Sequence, residues 1–139
     1  MREIKFRAWS KEHNEMFSLS KPSKIGIIEL NQHGEINTVG LFKYLSGDYA
    51  FVTLNVADVE ISQYTGLKDK NGVEIYEGDI ITHNNGTTSL FNHEEVRYWE
   101  GSFIAGSCTA NNALVNFNAS LYIEVIGNIY ENPELLKDK

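Results

Sequence analysis

Thr65-Gly66-Leu67-Lys68-Asp69-Lys70-Asn71-Gly72-Val73-Glu74-Ile75-Tyr76-Glu77-Gly78-Asp79-Ile80-Ile81 decides the class of fold. Asn71-Gly72 is the preferred pair for a two-residue type I′ hairpin loop, because both central positions need positive φ and these residues tolerate it best. Glu77-Gly78-Asp79 predicts a second turn. Asp79-Ile80-Ile81-Thr82-His83 then restarts an extended run whose adjacent apolar residues suit a strand covered on both faces. The centre of the chain therefore reads as antiparallel β structure.

Toward the N-terminus, Glu3 to Trp9 alternates with period 2. Ile4, Phe6 and Ala8 fall on one face, while Lys5, Arg7 and Trp9 fall on the other, solvent-facing side of an edge strand. Lys11 to Glu15 reads as a turn and Met16 to Leu19 as the returning partner, a hairpin. A loop over Ser18 to Lys24 precedes a second hairpin, Ile25–Leu30 and Glu35–Phe42, around Asn31-Gln32-His33-Gly34. Tyr49 to Val56 is β-branched and aromatic, which favours strand over helix. Toward the C-terminus, Glu95–Trp99 alternates, Gly101-Ser102 turns, Ser102–Gly106 and Ala113–Phe117 are weaker strands, and Leu121–Tyr130 is a long one. Asn132 as N-cap, Pro133 at the first helical position and Glu134 in the first turn predict one closing helical turn. The expected fold is mainly β: antiparallel strands in a small SH3-like barrel or a sandwich, ending in that turn.

The chain has 139 residues, a net charge of −7, 42% hydrophobic and 12% aromatic residues, two prolines and one cysteine. One domain spanning 1–139 is the expectation at this length, able to bury roughly two-thirds of its unfolded surface without staples. A single cysteine excludes an intramolecular disulfide. No apolar stretch approaches the ~18 residues of a membrane span, and Met1 to Phe6 alternates where a signal peptide needs a continuous apolar run, so a cytoplasmic protein is expected. The acidic balance argues against broad, nonspecific nucleic-acid binding, which rests on Lys/Arg neutralisation of phosphates.

Three blocks stand out: Met1-Arg2-Glu3-Ile4-Lys5-Phe6-Arg7-Ala8-Trp9; Gln63 to Gly72 running on through Ile75-Tyr76-Glu77-Gly78-Asp79-Ile80; and Val125 to Leu136. Together they resemble the YopX-like family of phage and prophage proteins. The resemblance implies a small, largely β protein with no biochemical activity to carry over. It also implies a variable insert over about 21–58 and a barrel-like part over about 62–131. The chain departs from the family pattern at Ser10, where an aspartate commonly follows the Ala-Trp pair, so no role resting on an acid there transfers. Tyr64, Gly66, Asn71, Gly72, Tyr76, Gly78, Asp79, Gly127, Asn128 and Tyr130 are motif positions with a structural reading: turns and bends for the glycines, aromatic core surface for the tyrosines.

Chemistry is sparse. Cys108, in Gly106-Ser107-Cys108-Thr109-Ala110, has no recognisable motif around it. His13, His33, His83 and His93 show no metal-ligand spacing, although a strand-loop-strand path would bring His83 and His93 toward Glu94 or Asp79. No phosphate-cradling glycine loop is present. Arg2, Lys5, Arg7 and Lys11 with Trp9 have the composition of a nucleic-acid stacking strand, and equally that of a solvated strand face.

The expectation is a non-enzymatic phage accessory protein without cofactor or metal, working through protein contacts with itself or with a host or phage protein. Exposed aromatics such as Trp9 or Trp99 and the Arg2, Lys5, Arg7, Trp9 face are the candidate surface. Two alternatives stand beside it: a nucleic-acid-associated small β-barrel, and a small metal-dependent hydrolase built on His83 and His93.

Overall fold

A computed structural model of the chain describes residues 3–18, 26–33, 35–45, 48–83, 93–106, 113–114 and 119–137. Its strands are β1 (Phe6–Ser10), β2 (Glu15–Ser18), β3 (Gly26–Leu30), β4 (Ile36–Leu45), β5 (Asp48–Leu54), β6 (Val59–Lys68), β7 (Glu74–Tyr76), β8 (Asp79–His83), β9 (His93–Trp99), β10 (Ser102–Ala105) and β11 (Ile123–Asn128). All pairings between them are antiparallel, and the fold is mainly β. The chain divides into two compact units, Lys5–Gln63 and Tyr64–Lys139 with Met1–Ile4, so the boundary falls inside β6.

In the first unit β1 pairs with β2 through Ala8↔Phe17 and with β6 through Ala8↔Ile61. The expected N-terminal hairpin is there, but β1 is interior, flanked on both edges. It starts at Phe6 rather than Glu3, which leaves Ile4 66% exposed. The expected solvent-facing Trp9 is corrected too: Ala8, Trp9 and Ser10 are 0%, 6% and 1% exposed, so both faces are covered at that end of the strand. Period 2 shows where side chains alternate and not which face meets water. The second hairpin forms as expected, β3 with β4 in register Ile28↔Val39, and β5 follows on β4. Asn31 fastens the β3–β4 turn, its Oδ1 accepting from the backbone N–H groups of His33 (2.9 Å) and Glu35 (3.0 Å). Phe17, Val39 and Leu54 form this unit's core, with Ile36, Val59 and Ile61 packed against them.

The second unit carries a four-stranded sheet in the order β10-β9-β8-β11, together with β7 paired to the end of β6. Ile80 and Ile81, adjacent on β8, are 0% and 2% exposed, as their apolar run predicts. Ile75, Ile81, Val96, Phe103, Ala105, Leu114, Ala119 and Ile123 form the core. Full burial of an aliphatic side chain of this size is worth about 1.5–3 kcal/mol, so this cluster dominates the unit's stability.

The closing helical turn forms as expected, while three details of the C-terminal third differ from the expectation. Ala113 makes only an isolated bridge to Ile104, and residues 115–118 of the expected Ala113–Phe117 strand lie outside the described residues. The expected Leu121–Tyr130 strand is shorter, because Ala119–Tyr122 forms a helical turn (α1) and only Ile123–Asn128 is extended. The closing helix is a single 3-10 turn over Pro133–Leu136. Asn132 precedes it without capping it, since its Oδ1 accepts from the Asn128 backbone N–H at 3.4 Å.

Candidate functional site

The central block folds around a carboxylate. Asp69 is 3% exposed; its Oδ1 accepts from the backbone N–H groups of Asn71 (2.8 Å) and Val73 (2.9 Å), and its Oδ2 from that of Val125 (3.0 Å). The Asp69 carbonyl accepts from the Gly72 N–H and its own N–H donates to the Val73 carbonyl. The result is a three-residue loop, Lys70-Asn71-Gly72, in which Gly72 adopts φ 80° and Asn71 stays out of the positive-φ region. The expected type I′ pair at Asn71-Gly72 is therefore replaced by a turn closed with a left-handed glycine, because the Asp69 side chain gathers the loop's N–H groups. The type I′ geometry occurs instead at Glu100-Gly101, with φ 45° and 87° between the paired Trp99 and Ser102.

The other motif positions interlock in the same unit. Tyr64 and Tyr76 are cross-strand partners with ring centroids 5.4 Å apart, and the Tyr76 hydroxyl donates to Glu74 Oε2 at 2.9 Å. Between Tyr64 and Lys68 the β6–β7 register shifts, around Gly66 at φ 87°. The Tyr76 N–H donates to Asp79 Oδ2 at 2.7 Å across the Glu77-Gly78 turn. Gly78 donates to the Val96 carbonyl and accepts from the Ile129 N–H, joining the middle block to the terminal one. Asn128 Oδ1 accepts from the N–H groups of Tyr130 and Glu131, and a Cβ on Gly127 would come within 2.6 Å of Asn132 Oδ1. An ion pair, Lys70 with Glu124 at 2.5 Å, is half exposed and adds at most about 1 kcal/mol. These groups close turns, and their polar atoms are directed at the protein's own backbone and at neighbouring side chains, Glu74 for the Tyr76 hydroxyl and Glu131 for the Asn128 amide.

Two arrangements resemble chemistry more than they are. Ser10 Oγ lies 3.0 Å from His13 Nδ1, but Ser10 is 1% exposed and its Oγ also accepts the His13 backbone N–H at 3.2 Å. That is a turn closure around a buried hydroxyl. His83 and His93 stand on neighbouring strands, yet His93 is paired with Thr82, which places the His83 side chain on the opposite face of the sheet. His93 Nδ1 is 3.0 Å from the Leu135 carbonyl, which can only accept, so this nitrogen carries the proton; the His83 ring lies edge-on to Tyr122. Among the described residues no group of three or more His, Cys, Asp or Glu is placed to hold a metal ion. Cys108 and Arg2 lie outside the described residues, and Lys5 and Arg7 are half-buried.

Two exposed aromatics stand together at the tip of the β9–β10 hairpin, and Phe51 and Tyr122 are exposed elsewhere. β8 pairs with β9 only from His93 to Glu95, so Arg97 to Trp99 extend past it with β10 as their strand partner among the described residues. Tyr98 is 54% and Trp99 48% exposed. They face opposite sides of the hairpin: Tyr98 meets the Phe103 ring edge-on at 5.2 Å, while Trp99 stands opposite Ser102. Sequence reasoning named Trp99 but neither Tyr98 nor Glu100. The signal that could have found them was the Glu95-Val96-Arg97-Tyr98-Trp99 alternation running directly into a glycine turn.

The model of the YopX protein family matches residues 5–137. Among solved structures, protein EF1440 from Enterococcus faecalis is similar at 27% identity with a TM-score of 0.67, covering 98% of this chain and 99% of that one. Protein yopX from Bacillus subtilis is similar in fold, at 22% identity and TM-score 0.61, over 98% and 99% of the two chains. No curated protein matches. No helix among the described residues is long and apolar enough to cross a membrane.

Proposed function

The chain belongs to the YopX protein family, and from that premise we propose that it is a non-catalytic phage or prophage accessory protein that works by contacting another protein through the tip of its β9–β10 hairpin. The motif residues Tyr64, Gly66, Asn71, Gly72, Tyr76, Gly78, Asp79, Gly127, Asn128 and Tyr130 serve the fold in this reading. The observation that carries it is the pair Tyr98 and Trp99: two large aromatics about half exposed on the β9–β10 hairpin, next to a loop in which Glu100 occupies the left-handed region. A non-glycine residue there costs about 1–2 kcal/mol, a strain more often kept at working surfaces than at idle ones. Aromatic residues are also the usual anchors of protein interfaces.

The test is affinity capture from host cells carrying the phage or prophage, with the wild-type chain and a Tyr98→Ala/Trp99→Ala variant as parallel baits. A protein recovered by the first and lost by the second supports the reading. Equal recovery by both, or recovery of the bait alone, overturns it. The nucleic-acid alternative loses part of its support, because Trp9 is buried and β1 is an interior strand.

A further inference from the structure

The chemistry around Trp99 indicates what it would bind. Residues 95, 97 and 99 share one face of β9 by the strand's period. Arg97, the only arginine of the hairpin, donates from its guanidinium to the Gly106 carbonyl. The Gly106 backbone N–H in turn donates to the Glu95 carbonyl, which places Gly106 beside Glu95 at the base of the hairpin and away from its tip. Arg97 therefore leans back from Trp99. The residue that follows the half-exposed Trp99 at the tip is the exposed, carboxylate-bearing Glu100; Gly101 adds no side chain, and the small Ser102 stands opposite Trp99 on β10. An accessible indole face next to a carboxylate attracts a cation twice, through the ring quadrupole and through charge, and repels a phosphate. The chain's net charge of −7 adds a long-range field of the same sign.

From this geometry we infer that the hairpin tip takes an arginine- or lysine-bearing segment of a partner protein, its cationic side chain lying over the Trp99 ring and paired with Glu100. This rests on the protein-contact reading above and adds the partner's chemical class. A nucleic acid is disfavoured at the same surface, since its bases would stack on Trp99 only with a phosphate brought against Glu100.

The experiment titrates the full chain against fluorescently labelled oligoarginine, oligoglutamate and single-stranded oligothymidylate, read by anisotropy at two salt concentrations. The variants are Trp99→Ala, Trp99→Phe, Glu100→Gln and, as an exposed acidic control in the first unit, Glu12→Gln. Oligoarginine is expected to bind, with affinity lowered about tenfold by Trp99→Ala, partly restored by Trp99→Phe, lowered by Glu100→Gln and unchanged by Glu12→Gln. Equal weakening by Glu100→Gln and Glu12→Gln with none from Trp99→Ala means bulk charge attraction alone and overturns the inference, as does tighter binding of oligothymidylate than of oligoarginine. Should Trp99→Ala abolish partner capture in cells while leaving oligoarginine binding untouched, the contact reading stands and the basic class falls.

Discussion

Asp69 Oδ2 accepts a hydrogen bond from the Val125 backbone N–H at 3.0 Å, joining residues 56 positions apart in the chain. With Oδ1 taking the N–H groups of Asn71 and Val73, one buried carboxylate holds its own loop and fastens it to β11, the last strand of its sheet. The Lys70 N–H reinforces the attachment by donating to the Ile123 carbonyl.

Asp69→Asn keeps the shape but turns one acceptor oxygen into a donor, so a backbone N–H faces an amide N–H. The expected loss is about 1–3 kcal/mol, the cost of leaving a buried donor unsatisfied. Urea denaturation measures it as a lower midpoint at unchanged slope. A midpoint equal to wild type would show that the loop is held by other means.

Glu100→Asn should stabilise the protein. Asparagine tolerates the left-handed conformation that Glu100 occupies at φ 45°, and Asn-Gly is the favoured type I′ pair. A gain of about 0.5–1 kcal/mol is expected, read as a raised midpoint in the same titration. The same substitution removes the carboxylate beside Trp99 and should weaken oligoarginine binding, which separates its two effects.

Gly66→Ala and Gly127→Ala should both destabilise, for different reasons. Gly66 has φ 87° and open space where a Cβ would stand, so the cost is conformational, about 1–2 kcal/mol, and Gly66→Asn should recover part of it. Gly127 is crowded instead, since a Cβ there would approach Asn132 Oδ1 at 2.6 Å. Removing the Asn132 Oδ1 and Cγ with Asn132→Ala, which leaves its Cβ at 3.0 Å, should therefore relieve part of the Gly127→Ala loss and none of the Gly66→Ala loss, as a double-mutant comparison by thermal melting would show.

The two tryptophans should behave as opposites in fluorescence quenching. Trp9 is 6% exposed and Trp99 48%. Trp99→Phe should leave a blue-shifted emission shielded from iodide, and Trp9→Phe a red-shifted emission open to it. The reverse pattern would return Trp9 to the surface and revive the basic N-terminal face as a binding candidate.

Much of the strand order was legible because glycine and asparagine turns bracket each run, and Ile80-Ile81 announced a doubly covered strand before any contact was known. Trp9 misled because period 2 reports alternation without reporting which face a neighbouring strand or sheet will cover. Asn71-Gly72 misled for a local reason: Asp69, two residues earlier, captures the Asn71 N–H, an Asx-type pattern that competes with the type I′ turn. Ala119–Tyr122 turned helical within an apolar stretch too short for period to separate helix from strand. The hairpin tip was half visible: Trp99 stood out as an aromatic before a turn, whereas the lean of Arg97 toward Gly106 depends on a contact between strands.

If, as proposed, the exposed aromatic tip makes the contact while the motif residues build the fold, the most direct measurement of that division pairs the stability and the partner capture of Trp99→Ala. Its urea midpoint should shift by no more than about 0.5 kcal/mol equivalent, as for a surface residue, while the partner protein recovered by wild type is lost. Undiminished capture by a folded Trp99→Ala protein would contradict it.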